Sequence, residues 1–143
     1  MSTGKGIYLI VESDGDELQK TDGGYPHITF VYTGKCDIQP LADAGIKACL
    51  EMMKTPVTLV GAHMNSFEKD GKMRYDILAD LDEDSIERIE QLRESAIDLD
   101  HGKVMIMRTP HITMHTVWSE EEAKAKMKDQ FPFDVNVIGV CFN

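Results

Sequence analysis

The sequence contains little cysteine, little basic charge and no long apolar run. Its three cysteines, Cys36, Cys49 and Cys141, are widely spaced in 143 residues, and no C-x-x-C motif is present. These features argue against a disulfide framework and against a thiolate zinc site, since both need more closely spaced cysteines. A reducing compartment fits this cysteine usage, and we expect a cytoplasmic protein.

Basic residues are outnumbered, with 15 Lys and Arg against 25 Asp and Glu and a formal net charge of -10. Non-specific electrostatic binding of long nucleic acid needs clustered Lys and Arg, so we expect no long nucleic-acid partner. A small phosphate ligand in a pocket is still compatible with this charge, because salt screens distant charges within about 8–10 Å.

The apolar run nearest the start, Gly6–Val11, is too short for a membrane span and is soon followed by acidic residues. The first residues also lack the layout of a signal peptide, so we expect no membrane association. A length of 143 residues with 42% hydrophobic residues fits one globular domain over residues 1–143.

The tetrapeptide Pro-His-Ile-Thr occurs twice, within "YPHITFVYTGK" (Tyr25–Lys35) and "TPHITMHTVWS" (Thr109–Ser119). Apolar periodicity predicts strands at Gly6–Val11, His27–Thr33, on both sides of a turn at Lys69–Gly71, at His111–Trp118 and in the segment Phe131–Phe142. It also predicts helices at Asp37–Lys54 and Asp84–Ile97, and a third that begins at Ser119, where Glu122 completes a capping-box pattern. For the segment 102–108 the pattern fits a short strand or an extended loop.

Each copy of the tetrapeptide starts a strand that is followed by a helix and then by a strand that opens near a proline, Pro56 or Pro132. Such an internal repeat predicts a single domain of two similar β-α-β lobes that share a central cleft.

Side chains alternate between the two faces of a strand, so His27 and Thr29 share a face, as do His111 and Thr113. If the lobes face each other, two imidazoles and two hydroxyls line one cleft. One histidine can then accept a proton from a nucleophile while the other protonates a leaving oxygen. The threonines can donate hydrogen bonds to charged oxygens, and a phosphodiester suits this set. Two such histidines predict a bell-shaped dependence of rate on pH.

Metal binding is the other common use of histidine. His111 and His115 would form a ligand pair on a helix, but on a strand they lie roughly 13 Å apart, which is too far for one ion. His63 and His101 have no ligand spacing. We therefore expect no metal and no cofactor.

The two His-x-Thr motifs, each on a strand and one per lobe, resemble those of the two-histidine (2H) phosphoesterase superfamily. That superfamily includes 2′-5′ RNA ligase-like proteins, cyclic phosphodiesterases and phage enzymes that cut cyclic oligonucleotide messengers. The resemblance covers nearly the whole chain and implies a bilobal α+β fold with antiparallel sheets around a concave, metal-free site. It implies that His27, Thr29, His111 and Thr113 act on the phosphate of a cyclic nucleotide, a cyclic oligonucleotide or a short RNA.

Further substrate contacts are candidates only, and each has an ordinary structural alternative. Tyr8 can stack on a base or reach a phosphate, or it can pack in the core. His115 shares the alternation of His111 and Thr113, which would place it at the rim of the cleft. Arg108 is a candidate phosphate neighbour, as are Lys5, Lys35 and Lys103. Trp118 and Phe142 can supply stacking faces.

The function best supported by the sequence is a metal-independent phosphodiesterase that works by two-histidine acid–base catalysis. An alternative is a protein that sequesters a cyclic nucleotide or an RNA end without cleaving it. A third is a structural protein in which the repeat serves packing alone.

Overall fold

The computed structural model describes residues 5–13, 25–34, 41–99, 109–127 and 131–142. Within these residues the chain forms, in order, β1 (Lys5–Ser13), β2 (His27–Gly34), α1 (Ala42–Met52), β3 (Val57–Lys69), β4 (Lys72–Leu81), α2 (Glu83–Leu99), β5 (His111–Val117), α3 (Glu120–Lys126) and β6 (Phe133–Phe142). This order agrees with the elements predicted from sequence. The segments 35–40 and 102–108, which include the predicted first turn of α1 and the extended stretch before β5, lie outside the described residues.

The strands form one closed sheet in the order β1-β2-β5-β4-β3-β6, in which β6 also pairs with β1 and every described neighbour is antiparallel. Helix α1 packs on β1, β6 and α2, helix α2 packs on β2, and helix α3 packs on β4 and β5. The α+β class with an antiparallel sheet is therefore confirmed.

The two faces of the sheet differ in composition because side chains alternate along each strand. On β1, Ile7, Leu9 and Val11 are buried on the face that the helices cover, which we call the helix face. The residues between them, Tyr8 and Ile10, are only partly buried and point to the other face, which we call the open face. The core lies between the helix face and the helices.

The two halves of the sheet are related residue by residue. The β1–β2 register pairs Gly6↔Tyr32, Ile7↔Val31, Tyr8↔Thr29, Leu9↔Ile28 and Ile10↔His27. The β4–β5 register pairs Asp76↔Thr116, Ile77↔His115, Leu78↔Thr113, Ala79↔Ile112 and Asp80↔His111. Corresponding residues of the two repeats thus occupy corresponding places, which gives the sheet a pseudo-two-fold axis. The axis passes through the pair Ile28↔Ile112, where β2 meets β5.

Both halves contain the same β-bulge. The register skips Phe30 after Thr29 in the first half, and it skips Met114 after Thr113 in the second. An extra residue in one strand changes which face the following residues occupy. The bulges therefore directly follow the two His-x-Thr motifs.

The two repeats exchange their last strands. Strand β3 follows α1 in the chain but pairs with β4 of the second half, whereas β6 follows α3 and pairs with β1 of the first. Strands β3 and β6 also meet each other at the pair Val57↔Val135. Each spatial half of the sheet therefore contains strands from both sequence repeats.

The β3–β4 connection is a tight hairpin, as the sequence predicts. Its two turn residues, Asp70 and Gly71, both have positive φ angles of 53° and 80°. Positive φ at both central positions is typical of a two-residue hairpin turn, and Asp followed by Gly adopts it at low cost.

Candidate active site

The two His-x-Thr motifs lie side by side on the open face. Strands β2 and β5 pair at Ile28↔Ile112, and both isoleucines are fully buried on the helix face. The residues before and after them, His27 and Thr29 on β2 and His111 and Thr113 on β5, are partly exposed on the other side. Because paired strands are only about 5 Å apart, the four side chains form one cluster around the pseudo-two-fold axis.

Both imidazoles are held by the same local contact. His27 Nδ1 lies 3.0 Å from the carbonyl oxygen of Tyr25, and His111 Nδ1 lies 3.1 Å from that of Thr109. A carbonyl oxygen only accepts hydrogen bonds, so each Nδ1 is the protonated donor. The neutral ring then carries its lone pair on Nε2. Each imidazole is thereby oriented to exchange protons through Nε2.

The proline in each copy of the tetrapeptide explains this contact. Pro26 and Pro110 stand between the histidine and the residue whose carbonyl accepts its proton. The pyrrolidine ring fixes φ near -65° and so limits the direction of the preceding carbonyl. Both prolines are buried, which holds the turn against the sheet.

A cavity of about 350 Å³ opens on the Thr29 side of the axis. It is lined by Tyr8, Thr29, Tyr32, Arg93, Thr109, Pro110 and His111. His27 and Thr113 are not in this lining. His27 does contact the lining residue Tyr8, since the two rings lie edge to face with their centroids 5.1 Å apart. The cavity therefore adjoins the histidine cluster on one side of the axis.

Tyr8 is placed in the cavity by a glycine. A Cβ atom at Gly6 would lie 2.7 Å from the Tyr8 hydroxyl oxygen, so any side chain there would displace the phenol ring. Burial raises the pKa of Tyr8, with smaller contributions from Tyr32 and Cys141. The hydroxyl thus stays protonated at neutral pH and can donate a hydrogen bond to a ligand.

Arg93 is a buried cation in the wall of this cavity. It lies on α2 with 4% exposure, and its guanidinium donates to the carbonyl oxygens of Thr29 and Phe30, both at 2.7 Å. Burial lowers the pKa of Arg93, and the carboxylate of Glu90 partly opposes this. Phe30 is the bulged residue of β2. Arg93 therefore fixes the backbone that presents Thr29.

The bulge at Met114 moves His115 away from the site. The expectation that His115 shares a face with His111 and Thr113 is wrong, because the extra residue resets the alternation. His115 pairs with Ile77, which is buried under α3 on the helix face. Burial lowers the pKa of His115, and the ammonium of Lys126 on α3 lowers it further.

Other predicted contacts are distributed as follows. Trp118 is 53% exposed just beyond the end of β5, and it does not line the cavity. Phe142 pairs with Ile7 on the helix face and packs near Gly45, so it faces away from the histidines. Arg108, together with Lys35 and Lys103, lies outside the described residues. Lys5 begins β1.

The charges beside the two histidines are unequal. The cross-strand partner of His111 is Asp80, whereas that of His27 is the apolar Ile10. Asp80 is also held by His63, whose Nδ1 lies 2.8 Å from Oδ1 of the carboxylate. The pseudo-symmetry of the site is thus broken, with a carboxylate beside His111 and an apolar side chain beside His27.

Sequence reasoning did not find Arg93 or Tyr32. Arg93 lies on the same face of α2 as the apolar residues Ile86 and Ile89. A cation on the apolar face of a helix can be recognised from its spacing in the sequence, and it indicates a buried charge. Tyr32 reaches the open face only because of the bulge at Phe30.

No set of three or more His, Cys, Asp or Glu side chains is arranged to hold a metal ion in residues 5–13, 25–34, 41–99, 109–127 and 131–142. No helix in the same segments has the length and apolar character needed to cross a membrane.

Comparisons with known proteins find a likeness in structure but none in sequence. No family model matches the chain, and no curated protein matches it in sequence. Its structure is similar to that of Kluyveromyces marxianus Usb1 with uridine monophosphate, with a TM-score of 0.47 and 11% identity over 86% of this chain and 78% of that chain. Function is therefore inferred from the geometry of the site.

Proposed function

We propose that this protein is a metal-independent phosphodiesterase that uses His27 and His111 as its acid–base pair. The observation that carries the proposal is the pair of equivalent imidazoles on the open face, each with Nδ1 bonded to a carbonyl and Nε2 left to exchange protons. Two such groups beside two hydroxyls match the needs of a phosphodiester, which has an attacking oxygen, a leaving oxygen and two charged oxygens.

In the reaction, one neutral imidazole removes the proton from the attacking oxygen, which belongs to water or to a ribose 2′-hydroxyl. The other, protonated imidazole donates its proton to the leaving oxygen as the P–O bond breaks. Thr29 and Thr113 donate hydrogen bonds to the non-bridging oxygens, where charge builds up. At the end of the step the two imidazoles have exchanged protonation states, so a second step can run with their roles reversed.

The unequal charges give the histidines different starting roles. We assign His111 as the acid of the first step, because the carboxylate of Asp80 is its cross-strand neighbour. His27, which lies beside Ile10 and the ring of Tyr8, is then the base.

The substrate is a cyclic nucleotide, a cyclic oligonucleotide or a short RNA with a 2′ or 3′ phosphate. A cavity of about 350 Å³ is within the usual range for small-molecule sites. Tyr8 and Tyr32 offer aromatic surfaces for a base in it, and the Tyr8 hydroxyl offers a donor for a phosphate or ribose oxygen.

The test is incubation with 2′,3′-cyclic nucleotides and with cyclic di- and trinucleotides in EDTA, with products identified by mass spectrometry. We expect cleavage that survives EDTA and falls by about 10²–10⁴-fold in His27→Ala and in His111→Ala. His115→Ala is the matched control and should retain activity, because His115 lies on the helix face. Tight binding without product would instead indicate a sequestering protein.

A substrate with a good leaving group separates the two roles. A nucleoside 3′-(4-nitrophenyl phosphate) releases an anion that needs no protonation. His111→Ala should therefore recover much of its activity on this substrate, whereas His27→Ala should not. Equal recovery by both variants would contradict the assignment of acid and base.

A further inference from the structure

The open face continues beyond the histidines along the β3–β4 hairpin. Leu78, the β4 partner of Thr113, is followed along the same face by Asp76, Arg74 and Lys72 toward the tip. Strand β3 runs beside it and places Phe67 opposite Arg74 and Lys69 opposite Lys72. Among the described residues the first half has no matching stretch, since the corresponding β1–β6 register ends at Ile7↔Phe142.

Two exposed aromatic side chains and one arginine lie along this extension. Phe67 is 41% exposed, and the guanidinium carbon of Arg74 lies 4.9 Å from the centre of its ring. Trp118, 53% exposed, directly follows Val117, whose partner is Tyr75. Trp118 therefore lies on the β5 side of β4, one residue beyond the last pair of that register. We call Phe67, Arg74 and Trp118 the aromatic row.

The arginine in the aromatic row is held in one orientation. Arg74 donates to both oxygens of Asp76, from Nε to Oδ1 at 3.0 Å and from Nη2 to Oδ2 at 3.5 Å, and Thr116 donates to Oδ1 at 3.0 Å. The contacts with Asp76 use two of the five N–H donors of the guanidinium. A planar cation held over an exposed aromatic ring offers a stacking surface and phosphate donors together.

The charge near the tip differs from that of the whole chain. Lys69, Lys72 and Arg74 all lie on the open face of the hairpin, whereas Glu68 pairs with Met73 and points to the opposite face. Asp76 on the open face is the ion-pair partner of Arg74, and Asp70 lies in the turn. Lys69 and Lys72 therefore form a local pair of cations, with no ion-pair partner among the described residues, in a chain whose net charge is -10. Aromatic side chains interleaved with cations on one open surface are typical of single-stranded nucleic-acid binding.

We infer that the aromatic row is a second nucleotide-binding site, which takes the residues of a single-stranded oligonucleotide whose scissile phosphate lies at the histidines. Arg74 lies four residues along β4 from Leu78, or roughly 13 Å from the histidine cluster. A mononucleotide bound by its phosphate at the histidines does not span that distance, but the following nucleotides of an oligonucleotide do. The inference rests on the proposed function for the position of the scissile phosphate and makes oligonucleotides the preferred substrates.

Binding can be measured without turnover and without a label. Trp118 is the single tryptophan of the chain, so its fluorescence reports directly on the aromatic row. In the His27→Ala/His111→Ala double variant, hexauridylate should quench this fluorescence with a saturable curve. Uridine monophosphate should leave it unchanged. Quenching by neither ligand, or equally by both at the same affinity, would overturn the inference.

Variants of the aromatic row test its stacking role. Phe67→Ala should weaken hexauridylate binding by about fivefold or more, since stacking on an aromatic side chain is worth at least that per base. Met73→Ala is the matched control, because Met73 is also an exposed apolar residue of this hairpin but faces the opposite side. Equal effects of Phe67→Ala and Met73→Ala would refute a binding role for the row.

The contribution of Lys69 and Lys72, at the tip of the hairpin, can be measured separately through the salt dependence of binding. Lys69→Ala/Lys72→Ala should reduce the slope of log affinity against log salt by about 1.4, because each phosphate that a protein neutralises on a single strand adds about 0.7 to that slope. An unchanged slope would mean that the tip does not bind phosphates, which would contradict the path proposed for the oligonucleotide.

Cleavage by the wild type separates this inference from the proposed function. The ratio of kcat/KM for a hexanucleotide over that for a cyclic mononucleotide should fall in Phe67→Ala and not in Met73→Ala. If the wild type cleaves and the ratio is the same in Phe67→Ala, the proposed function stands and the second nucleotide-binding site is overturned. If hexauridylate quenches Trp118 with a saturable curve but no substrate is cleaved, the second site stands and the proposed function is overturned.

Discussion

At the scale of single residues, the candidate site depends on side chains that hold backbone carbonyls in place. The two catalytic candidates are fixed by carbonyls of Tyr25 and Thr109, and the backbone of Thr29 is fixed by Arg93. Such contacts orient a reacting group more firmly than a side chain exposed to water could be oriented, because the backbone of a closed sheet moves little. Their loss should therefore affect catalysis as well as stability.

Arg93→Met removes a buried cation and leaves the carbonyls of Thr29 and Phe30 without these donors. We expect the free energy of unfolding in urea to fall by about 1–3 kcal/mol, the usual cost of buried polar groups left unsatisfied. We also expect kcat to fall, because Thr29 loses its fixed position.

Arg88→Met is the control for this change. Arg88 lies on the same helix and donates to the carbonyl oxygens of Thr55 and Pro56, which directly precede β3 and do not line the cavity. It should alter stability but not kcat. Equal losses of kcat in both variants would mean that Arg93 acts through the general stability of α2.

At the scale of elements, the β-bulges decide which side chains reach the site. The alternation of a strand can be read from sequence, and it correctly places His27, Thr29, His111 and Thr113 opposite the buried isoleucines. A bulge cannot be read in this way, because it depends on how a strand pairs with its partner. The bulge at Met114 places His115 on the helix face, and the bulge at Phe30 places Tyr32 on the open face.

The strands and helices themselves could be predicted because their signals are local. Apolar spacing, the Asp-Gly turn and the cap at Ser119, which accepts a hydrogen bond from the backbone of Glu122, act over a few residues. The role of Arg93 could not be predicted, because its acceptors lie more than sixty residues earlier in the chain. The exchange of β3 and β6 is equally non-local.

His115→Val tests the effect of the second bulge. Val31 occupies the corresponding place in the first half, so valine fits the backbone there. The pKa of His115 is lowered in the folded protein by burial and by Lys126. The unfolded chain therefore takes up a proton before the folded one as pH falls below about 6.5, which destabilises the fold.

We expect the wild type to lose stability between pH 7 and pH 5 partly through this residue, and His115→Val to lose less. Urea unfolding of both proteins at several pH values measures the difference. At pH 8 His115 is neutral in both the folded and the unfolded state, so the difference in free energy of unfolding between the two proteins should no longer change with pH. Parallel stability curves for the two proteins would show that His115 does not titrate as described.

At the scale of the whole molecule, the exchange of last strands makes the two sequence repeats depend on each other. Strand β3 pairs only with β4 and β6 among the described strands, and both belong to the second repeat. Strand β6 pairs likewise with β1 and β3 of the first repeat. Neither repeat can therefore complete its backbone hydrogen bonds alone.

Cutting the chain at the hairpin turn tests this dependence. Fragments 1–70 and 71–143 should each lack a cooperative unfolding transition when studied alone by circular dichroism. Refolded together, they should regain the transition and the cleavage activity, because each supplies the strand that the other lacks. A cooperative transition in either isolated fragment would show that its repeat is self-sufficient.

The pseudo-two-fold axis has a consequence for how such a chain could arise. At the axis Ile28 meets Ile112 and Val57 meets Val135, so each residue pairs with its own counterpart of identical type. A half-length ancestor would meet itself in the same way, as an isologous homodimer with swapped strands. Gene duplication and fusion of that ancestor would yield one histidine per copy and a single reaction centre between them. Later divergence of the copies would then be free to make one side of that centre an acid and the other a base.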